Sequence, residues 1–321
     1  MPDPQTRESR RIPRIAVLIP CFNEAVAIGR VVADFRSALP RATVFVYDNN
    51  SSDETGALAR EAGAVVRPET LQGKGNVVRR MFADVEADVY VLVDGDGTYD
   101  ASAAPRMVER LLADDLDMVT GVRVANSSSA YRTGHKIGNR ALTGVVANIF
   151  GDRCADMLSG YRVFSRRFVK SFPALAFGFE IETELTVHAL ELRMPIADFQ
   201  TRYGSREAGS ASKLHTVRDG LRIGAAIVRV VKEERPIKFF TLIGLVFCLT
   251  SLAFGYPVLV TYLETGLVPR LPTAILAMGL MIIASLSCTA GVILDSITNA
   301  RRELRRLRYL EIPLFRSEPF T

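Results

Sequence analysis

The stretch Val89-Tyr90-Val91-Leu92-Val93-Asp94-Gly95-Asp96 decides the fold. An unbroken apolar run, rich in β-branched residues, ends abruptly in two carboxylates one residue apart. Without polar alternation, the run predicts a strand buried on both faces, as in parallel sheets covered by helices. The aspartates then fall on the turn beyond the carboxyl end of that strand, where ligands bind in open α/β sheets. Two carboxylates so spaced can face one cation. Their hard oxygens suit Mg²⁺ or Mn²⁺, with a substrate diphosphate completing the shell. A solvated acidic turn, with Asp100 nearby, is the competing reading.

Outward from this stretch, strand and helix alternate. Toward the N-terminus, Gly75 opens a helix with Val78, Met81, Phe82 and Val85 on one face. Ala64 to Arg67 and Thr43 to Tyr47 read as strands, and a helix starts near Asp53. Ile28, Val31, Val32, Phe35 and Leu39 recur at helical spacing after the short apolar strand Ile15 to Ile19. Toward the C-terminus, Met118 to Gly121 reads as a strand, with helical character at Tyr131 to Phe150 and Glu180 to Leu192. Such alternation implies a mostly parallel sheet with helices on both faces.

Polar motifs follow the apolar runs. Pro20-Cys21-Phe22-Asn23-Glu24 comes after the first strand, and Asp48-Asn49-Asn50-Ser51-Ser52-Asp53 after the second. Asn, Asp and Ser also make ordinary turns and helix caps, and Asp53 reads as such a cap. Glu24 and Asp48 should project to the same rim as Asp94. In Gly73-Lys74-Gly75 the glycines permit close backbone approach to a phosphate and the lysine supplies a point charge.

Charged residues make up 23% of the 321-residue chain, close to a globular average, so a mean hydropathy of +0.16 must be concentrated locally. The ranges 239–263 and 271–294 contain no charged residue. Each exceeds the ~20 residues that span a bilayer, and the joining loop is short, which predicts a transmembrane hairpin. A buried core hairpin in a soluble domain is the competing reading. Arg229, Lys232, Arg235 and Lys238 precede the first run; Arg301, Arg302, Arg305, Arg306 and Arg308 follow the second. The positive-inside rule then puts the catalytic part and both ends in the cytoplasm, as for a multi-pass inner-membrane protein. The predicted organisation is a disordered arm at 1–11, a catalytic α/β domain at 12–213, an amphipathic interfacial helix at 214–236, the hairpin at 237–296 and a basic tail at 297–321.

Several classes are excluded. The four cysteines form no C-x-x-C pair and there are three histidines, which argues against disulfide and zinc frameworks. There is neither a G-x-G-x-x-G after the first strand nor a Walker A loop. No nucleic-acid partner is expected.

Taken together, the motifs resemble those of family 2 glycosyltransferases with the GT-A fold. The matching residues are P-x-x-N-E at 20–24, D-x-x-S-x-D-x-T at 48–55, G-K-G at 73–75 and D-x-D-G at 94–97. Asp156-Met157-Leu158-Ser159-Gly160-Tyr161-Arg162 and Ser210-Ala211-Ser212-Lys213 follow. With the hairpin, the resemblance is to membrane-anchored polyprenyl-phosphate glycosyltransferases, dolichyl-phosphate mannose synthase-like enzymes among them. The resemblance implies a GT-A, Rossmann-like sheet and an inverting, metal-dependent transfer of a sugar from a nucleotide sugar, UDP-sugar favoured, to a membrane polyprenyl phosphate. It further implies that Pro20, Asn23, Glu24 and Asp48 line the base and ribose, with Lys74, Asp94 and Gly95 beside the nucleotide. Asp96 would be the principal metal ligand, together with Asp94, and Asp156 would sit near the reacting centre. Gln72, Thr98 and Asn49 depart from the family's usual arginine, glutamine and second aspartate. The chain has no tryptophan, which excludes the Q-x-x-R-W motif of processive synthases.

A phosphate monoester, with a second pKa of ~6, needs cations to hold it rather than a base. Arg132, Lys136 and Arg140 share one helical face, and Arg123, Arg162 and Arg202 are further candidates. A hydroxyl acceptor of diacylglycerol or ceramide type would instead need a base, for which Asp156, Glu180 and Glu182 are candidates. A non-catalytic membrane-anchored nucleotide-sugar-binding subunit is the third reading. A homo-oligomer is compatible with the sequence.

Overall fold

The computed structural model describes residues 12–125, 156–176, 178, 180–204, 228, 232 and 235–315. The chain divides into two compact units, one of residues 1–220 with 305–321 and one of residues 221–304. The predicted arm at 1–11, the helix at 131–150, the Ser210–Lys213 motif and nearly all of the interfacial helix lie outside the described residues.

The first unit is built on a seven-stranded sheet of order β3-β2-β1-β4-β6-β5-β7. The strands are β1 (Ile15–Cys21), β2 (Thr43–Asp48), β3 (Val65–Pro68), β4 (Val89–Leu92), β5 (Met118–Ala125), β6 (Arg162–Ser165) and β7 (Ile196–Tyr203). β1 pairs in parallel with β2 and β4, β2 with β3, and β5 with β7. β6 runs antiparallel between β4 and β5. The mostly parallel sheet expected from the sequence is thus present, interrupted by one reversed strand.

Helices cover both faces because the central strands are apolar on both. Val17, Ile19, Val89 and Val91 pack on one side with α1 (Ala25–Ala38) and α4 (Ala104–Ala113). Leu18, Tyr90 and Leu92 pack on the other with α3 (Lys74–Asp84), α5 (Arg166–Ser171) and α6 (Ile181–Glu191). α2 (Thr55–Glu61) joins β2 to β3. Side chains alternate across each strand, so one run of β-formers feeds two cores. The predicted helical faces, Ile28–Phe35 and Val78–Phe82, are buried. Two strands were not foreseen. β6 opens on an arginine, and β7 alternates Ala197, Phe199, Thr201 and Tyr203 against polar neighbours, a period-two signal present in the sequence.

The topology places the site. The chain moves outward from β1 to β2 and β3, then returns to β4 on the far side of β1. This switch point brings the loops after β1, β2 and β4 to one rim. Because β6 is reversed, the 156–161 loop enters at the same rim.

The opposite edge holds a buried charge. Asp117, fully buried, accepts hydrogen bonds from Ser165 Oγ at 2.6 Å, Arg167 Nε at 2.5 Å and Tyr309 Oη at 2.7 Å. Arg305 pairs with Glu191 at 2.6 Å. Helix runs on to Leu310 within the basic tail, and Arg305 and Tyr309, which belong to the first unit, find their partners Glu191 and Asp117 within it.

In the second unit, α7 (Pro236–Thr265) and α8 (Leu271–Leu310) are long and apolar enough to cross a membrane, each with a hydropathy of 2.1. Only 11% and 17% of their apolar windows is buried, which is not the pattern of a soluble core hairpin. Their seam is built of small residues. Ala277, Ala284, Gly291 and Thr298, all buried, recur every seventh position on α8; Ala284 lies against Gly244 of α7, and Gly291 against Ile237 and Phe240. Ser251 Oγ donates to the Ala277 carbonyl at 2.6 Å. A Cβ on Gly291 would lie 3.0 Å from Phe240 Cβ, a tight contact that the glycine avoids, so the helices approach closely there.

Asp117→Ala is expected to cost about 3–5 kcal/mol, because it strands the Arg167 guanidinium. Tyr309→Phe removes one hydrogen bond to a charged group and should cost about 1.5–3 kcal/mol. Thermal unfolding of the full-length protein in detergent, followed by circular dichroism, checks the order and the sizes.

Candidate active site

The first layer of the rim is a pair of loops laced together. Asn23 and Asn50 both adopt positive φ, at 53° and 63°, a region that asparagine tolerates better than most residues. These turns aim side chains across the gap. Asn23 N donates to Ser51 Oγ at 2.9 Å, and Ser52 N donates to Asn23 Oδ1 at 2.7 Å. Glu24 N donates to Thr55 Oγ1 at 2.8 Å. Asp48 Oδ1 accepts from Ser51 N at 3.1 Å. Asp53, read as a cap, does more: it accepts from Thr55 N at 3.1 Å and from Ala25 N at 3.2 Å, joining the starts of α1 and α2. Pro20, one residue before the end of β1, is in register with Tyr47. The structure therefore places Pro20, Asn23, Glu24 and Asp48 on one rim.

The charged centre is Lys74, the first residue of α3. Its Nζ lies 2.5 Å from Asp94 Oδ1 and 2.5 Å from Glu182 Oε1. Burial alone would lower the lysine's pKa, but the Asp94 and Glu182 carboxylates reverse this and hold it raised. Burial pushes the Glu182 carboxyl upward, and Lys74 offsets part of that shift. Glu182, called catalytic from the sequence, is thus in direct contact with the G-K-G lysine.

The turn after β4 is tightly packed. A Cβ on Gly95 would lie 2.5 Å from Cys21 Sγ, and one on Gly160 would overlap the Asp94 carboxylate. A side chain at either position would force Cys21 or Asp94 to shift. Asp96, buried, accepts from Thr98 N at 3.1 Å and Thr98 Oγ1 at 2.6 Å. Thr98 therefore orients the carboxylate assigned to metal, a role the sequence showed only as a departure from glutamine. Tyr99 accepts from Gly160 N at 2.8 Å and packs on Tyr161 and Tyr203 at ring distances of 5.4 and 5.2 Å. Among the described residues, no three His, Cys, Asp or Glu side chains gather as a metal cage. The donor set, two hard carboxylates on one turn, fits Mg²⁺ or Mn²⁺ whose remaining ligands come from substrate or water.

The predicted acceptor cations fare differently. Arg123 forms a two-pronged pair with Asp156, Nε to Oδ2 at 2.7 Å and a terminal nitrogen to Oδ1 at 2.8 Å. The sequence reading gave these two residues separate tasks; they hold each other. Burial alone would raise the Asp156 carboxyl, but the Arg123 guanidinium keeps it below the ordinary value. Arg162 is a correction. It is fully buried, and its guanidinium bonds the carbonyls of Ser159 at 3.0 Å and Met157 at 2.6 Å and Thr186 Oγ1 at 2.8 Å. With those donors turned inward it braces the 156–161 loop against α6 and does not reach a ligand. Arg202 is exposed and lines a cavity of about 750 Å³ with Asp34, Thr98, Tyr99 and Asp100. That cavity is not where the charges converge, since Lys74, Asp94 and Asp96 do not line it. Arg132, Lys136 and Arg140 lie outside the described residues. The candidate base Glu180 is exposed at the start of α6.

A family model for glycosyl transferase family 2 matches residues 16–172. The chain is 32% identical over 301 residues to glycosyltransferase AglJ of Haloferax volcanii, a match spanning 92% of this chain and 98% of that one. It is 30% identical over 222 residues to a dolichyl-phosphate hexose transferase of the same organism, spanning 69% and 95%. Mycobacterium tuberculosis glucosyl-3-phosphoglycerate synthase, solved with Mn²⁺, UDP-glucose and phosphoglyceric acid, superposes with a TM-score of 0.55 at 22% identity, over 68% of this chain and 79% of that one. At that identity the likeness speaks for the fold alone. The chain belongs to glycosyl transferase family 2; it is a glycosyltransferase with the GT-A fold.

The Asp156–Arg123 pair carries a pH signature. Its contribution to stability is complete above the ordinary aspartate value of 3.8 and is lost as pH falls through the depressed native value. Asp156→Ala should remove that part of the acid sensitivity and cost about 3–5 kcal/mol at neutral pH, because the guanidinium loses its partner. Thermal unfolding of both proteins from neutral to acid pH checks sign and size.

Proposed function

We propose that this family 2 glycosyltransferase moves a sugar from a nucleotide sugar, a UDP-sugar by preference, onto a membrane polyprenyl phosphate, with inversion at the anomeric carbon. One observation carries the reading: a buried lysine braced by two carboxylates stands at the nucleotide rim of a chain that also bears two helices able to cross a membrane. The naming of one relative as a dolichyl-phosphate hexose transferase, similar over 95% of its length, supports the acceptor class.

In the proposed step, a phosphate oxygen of the lipid attacks the anomeric carbon as the bond to the diphosphate oxygen breaks. The nucleoside diphosphate leaves with the electron pair. Pro20, Asn23, Glu24 and Asp48 would receive the base and ribose. Lys74 faces the charge that develops on the leaving group; preorganised in a site shielded from water, it need not reorganise during the reaction. Asp96 and Asp94 would hold a divalent cation, Mg²⁺ or Mn²⁺, which supplies further neutralisation of the diphosphate.

What the carboxylates are doing supports an acceptor that is already an anion. Asp156 is held by Arg123, and Glu182 is held by Lys74. Both base candidates at the centre are committed to cations. A phosphate monoester arrives already ionised and needs neither. We place the hairpin in the cytoplasmic membrane with the catalytic unit and both ends on the cytoplasmic side, where it would keep the enzyme beside its embedded acceptor.

Purified protein in detergent, given Mg²⁺ or Mn²⁺, radiolabelled UDP- and GDP-sugars and undecaprenyl phosphate, is expected to move label into the lipid phase. Asp96→Ala should reduce transfer by about 100-fold or more. Donor binding with transfer only to diacylglycerol or ceramide would shift the reading to a hydroxyl acceptor. Neither binding nor transfer would leave the non-catalytic subunit.

A further inference from the structure

Lys74 sits at the end of a loop that has no secondary structure of its own. Residues 69–73 connect β3 to α3, and the polar groups of this stretch are satisfied largely by side chains. Asn49 does most of this. Its Nδ2 donates to the Glu69 carbonyl at 2.9 Å and to the Leu71 carbonyl at 2.8 Å, while its Oδ1 accepts from Gly73 N at 2.7 Å. Asn50 Nδ2 takes the intervening Thr70 carbonyl at 2.8 Å, and Asn76 Nδ2 takes the Gln72 carbonyl at 3.0 Å. Leu71 N donates to Glu69 Oε1 at 2.8 Å. Asn49 is itself anchored, since its backbone N–H donates to the Cys21 carbonyl at the end of β1.

The partners of Asn49 fix its chemistry. Two are carbonyls, which only accept, and one is an N–H, which only donates. An amide alone meets all three, whereas a carboxylate there would face two carbonyl oxygens with no proton to share. With 4% of its surface exposed, Asn49 has no solvent to compensate a mismatch. This explains the asparagine where the family's second aspartate is frequent: at this position the side chain is turned into the loop. Gly73, one residue before the lysine, stands at φ 127°, a left-handed-side backbone that suits glycine. Its N–H is the group that Asn49 holds.

We propose that Asn49 is a positioning residue for the donor: its amide fixes the 69–73 loop, and through Gly73 it sets where the Lys74 ammonium stands relative to the leaving diphosphate. The inference rests on the reading of Lys74 given under Proposed function. It predicts coupling between two residues whose side chains share no hydrogen bond.

The test is a double-mutant cycle on the full-length protein in detergent. It pairs Asn49→Asp with Lys74→Gln, or with Lys74→Arg should the glutamine variant not fold. Affinity for UDP and GDP in the presence of Mn²⁺ is read by calorimetry, and donor and lipid KM are read separately in the transfer assay. Asn49→Asp is expected to weaken nucleoside diphosphate binding about tenfold and to raise donor KM, leaving lipid KM unchanged. In the Lys74-variant background the same substitution should have little further effect. Asn49→Ala, which frees the loop carbonyls to water, gives a smaller loss in the same direction and serves if the aspartate variant unfolds. An equal loss in both backgrounds, or a loss shared by donor and lipid KM, would overturn the inference. If the unmodified protein binds neither UDP nor GDP, the proposed function itself falls; binding that is normal and uncoupled sinks only the role of Asn49.

Discussion

The site depends on one buried charge. Lys74 begins α3, Asp94 lies just beyond β4, and Glu182 is in the first turn of α6, so a single ammonium ties three separately folded pieces together. Such a cluster is costly to bury, and its geometry must be held by neighbours that cannot shift. Much of the rim does that work. Gly160 lies directly against the Asp94 carboxylate, Gly95 lies against Cys21, Tyr99 bonds the Gly160 N–H, and Arg162 ties the 156–161 loop to α6. Arg162 illustrates the logic. Its charge is wholly internal, yet without it the loop opposite Asp94 would lose its attachment to the helix that carries Glu182.

Charge and neutral polarity have separate tasks here. The loops around the expected base and ribose site are held largely by asparagine, serine and threonine, with Asp48 and Asp53 among them accepting backbone N–H groups rather than pairing with cations. The ion pairs are placed further in, at Lys74 and at Arg123–Asp156. This division suits a donor with an uncharged base at one end and a strongly charged diphosphate at the other. Neutral hydrogen bonds carry shape, and the cations carry the electrostatic load, which grows as the diphosphate departs.

The sheet was legible where burial is two-sided. β1, β2 and β4 are continuous apolar runs because helices cover both faces, and such runs stand out in a sequence. β7 is alternating and β6 opens on Arg162, so neither resembles the central strands, although the period of β7 was there to be read. The motifs were legible for the same reason, since each follows a visible strand. What the sequence hid were pairings between distant residues: Lys74 with Glu182, Asp117 with Tyr309, Glu191 with Arg305. An arginine whose partner lies more than a hundred positions away looks like a solvated or ligand-binding cation. Arg305 is one such residue; Arg162 looks the same in the sequence although its acceptors, on Met157, Ser159 and Thr186, lie within 24 positions, because only folding turns its donors inward.

The same pairings bear on the acceptor. An enzyme that deprotonates a hydroxyl needs a carboxylate or imidazole held near substrate with its basic lone pair available. His188 is buried beside Phe168 and Phe172, and burial drives its pKa down to about 3. It therefore stays neutral, inside the core rather than at the rim. Asp156 is stabilised as an anion by Arg123, which makes it a weaker base than an ordinary aspartate. Glu182 shares its charge with a lysine at hydrogen-bond distance. These three groups are thus withdrawn from base duty, by burial or by a cation, which supports the proposed anionic acceptor. A reaction needs no base when its nucleophile is already an anion, and a lipid phosphate attacking a nucleotide sugar is such a reaction.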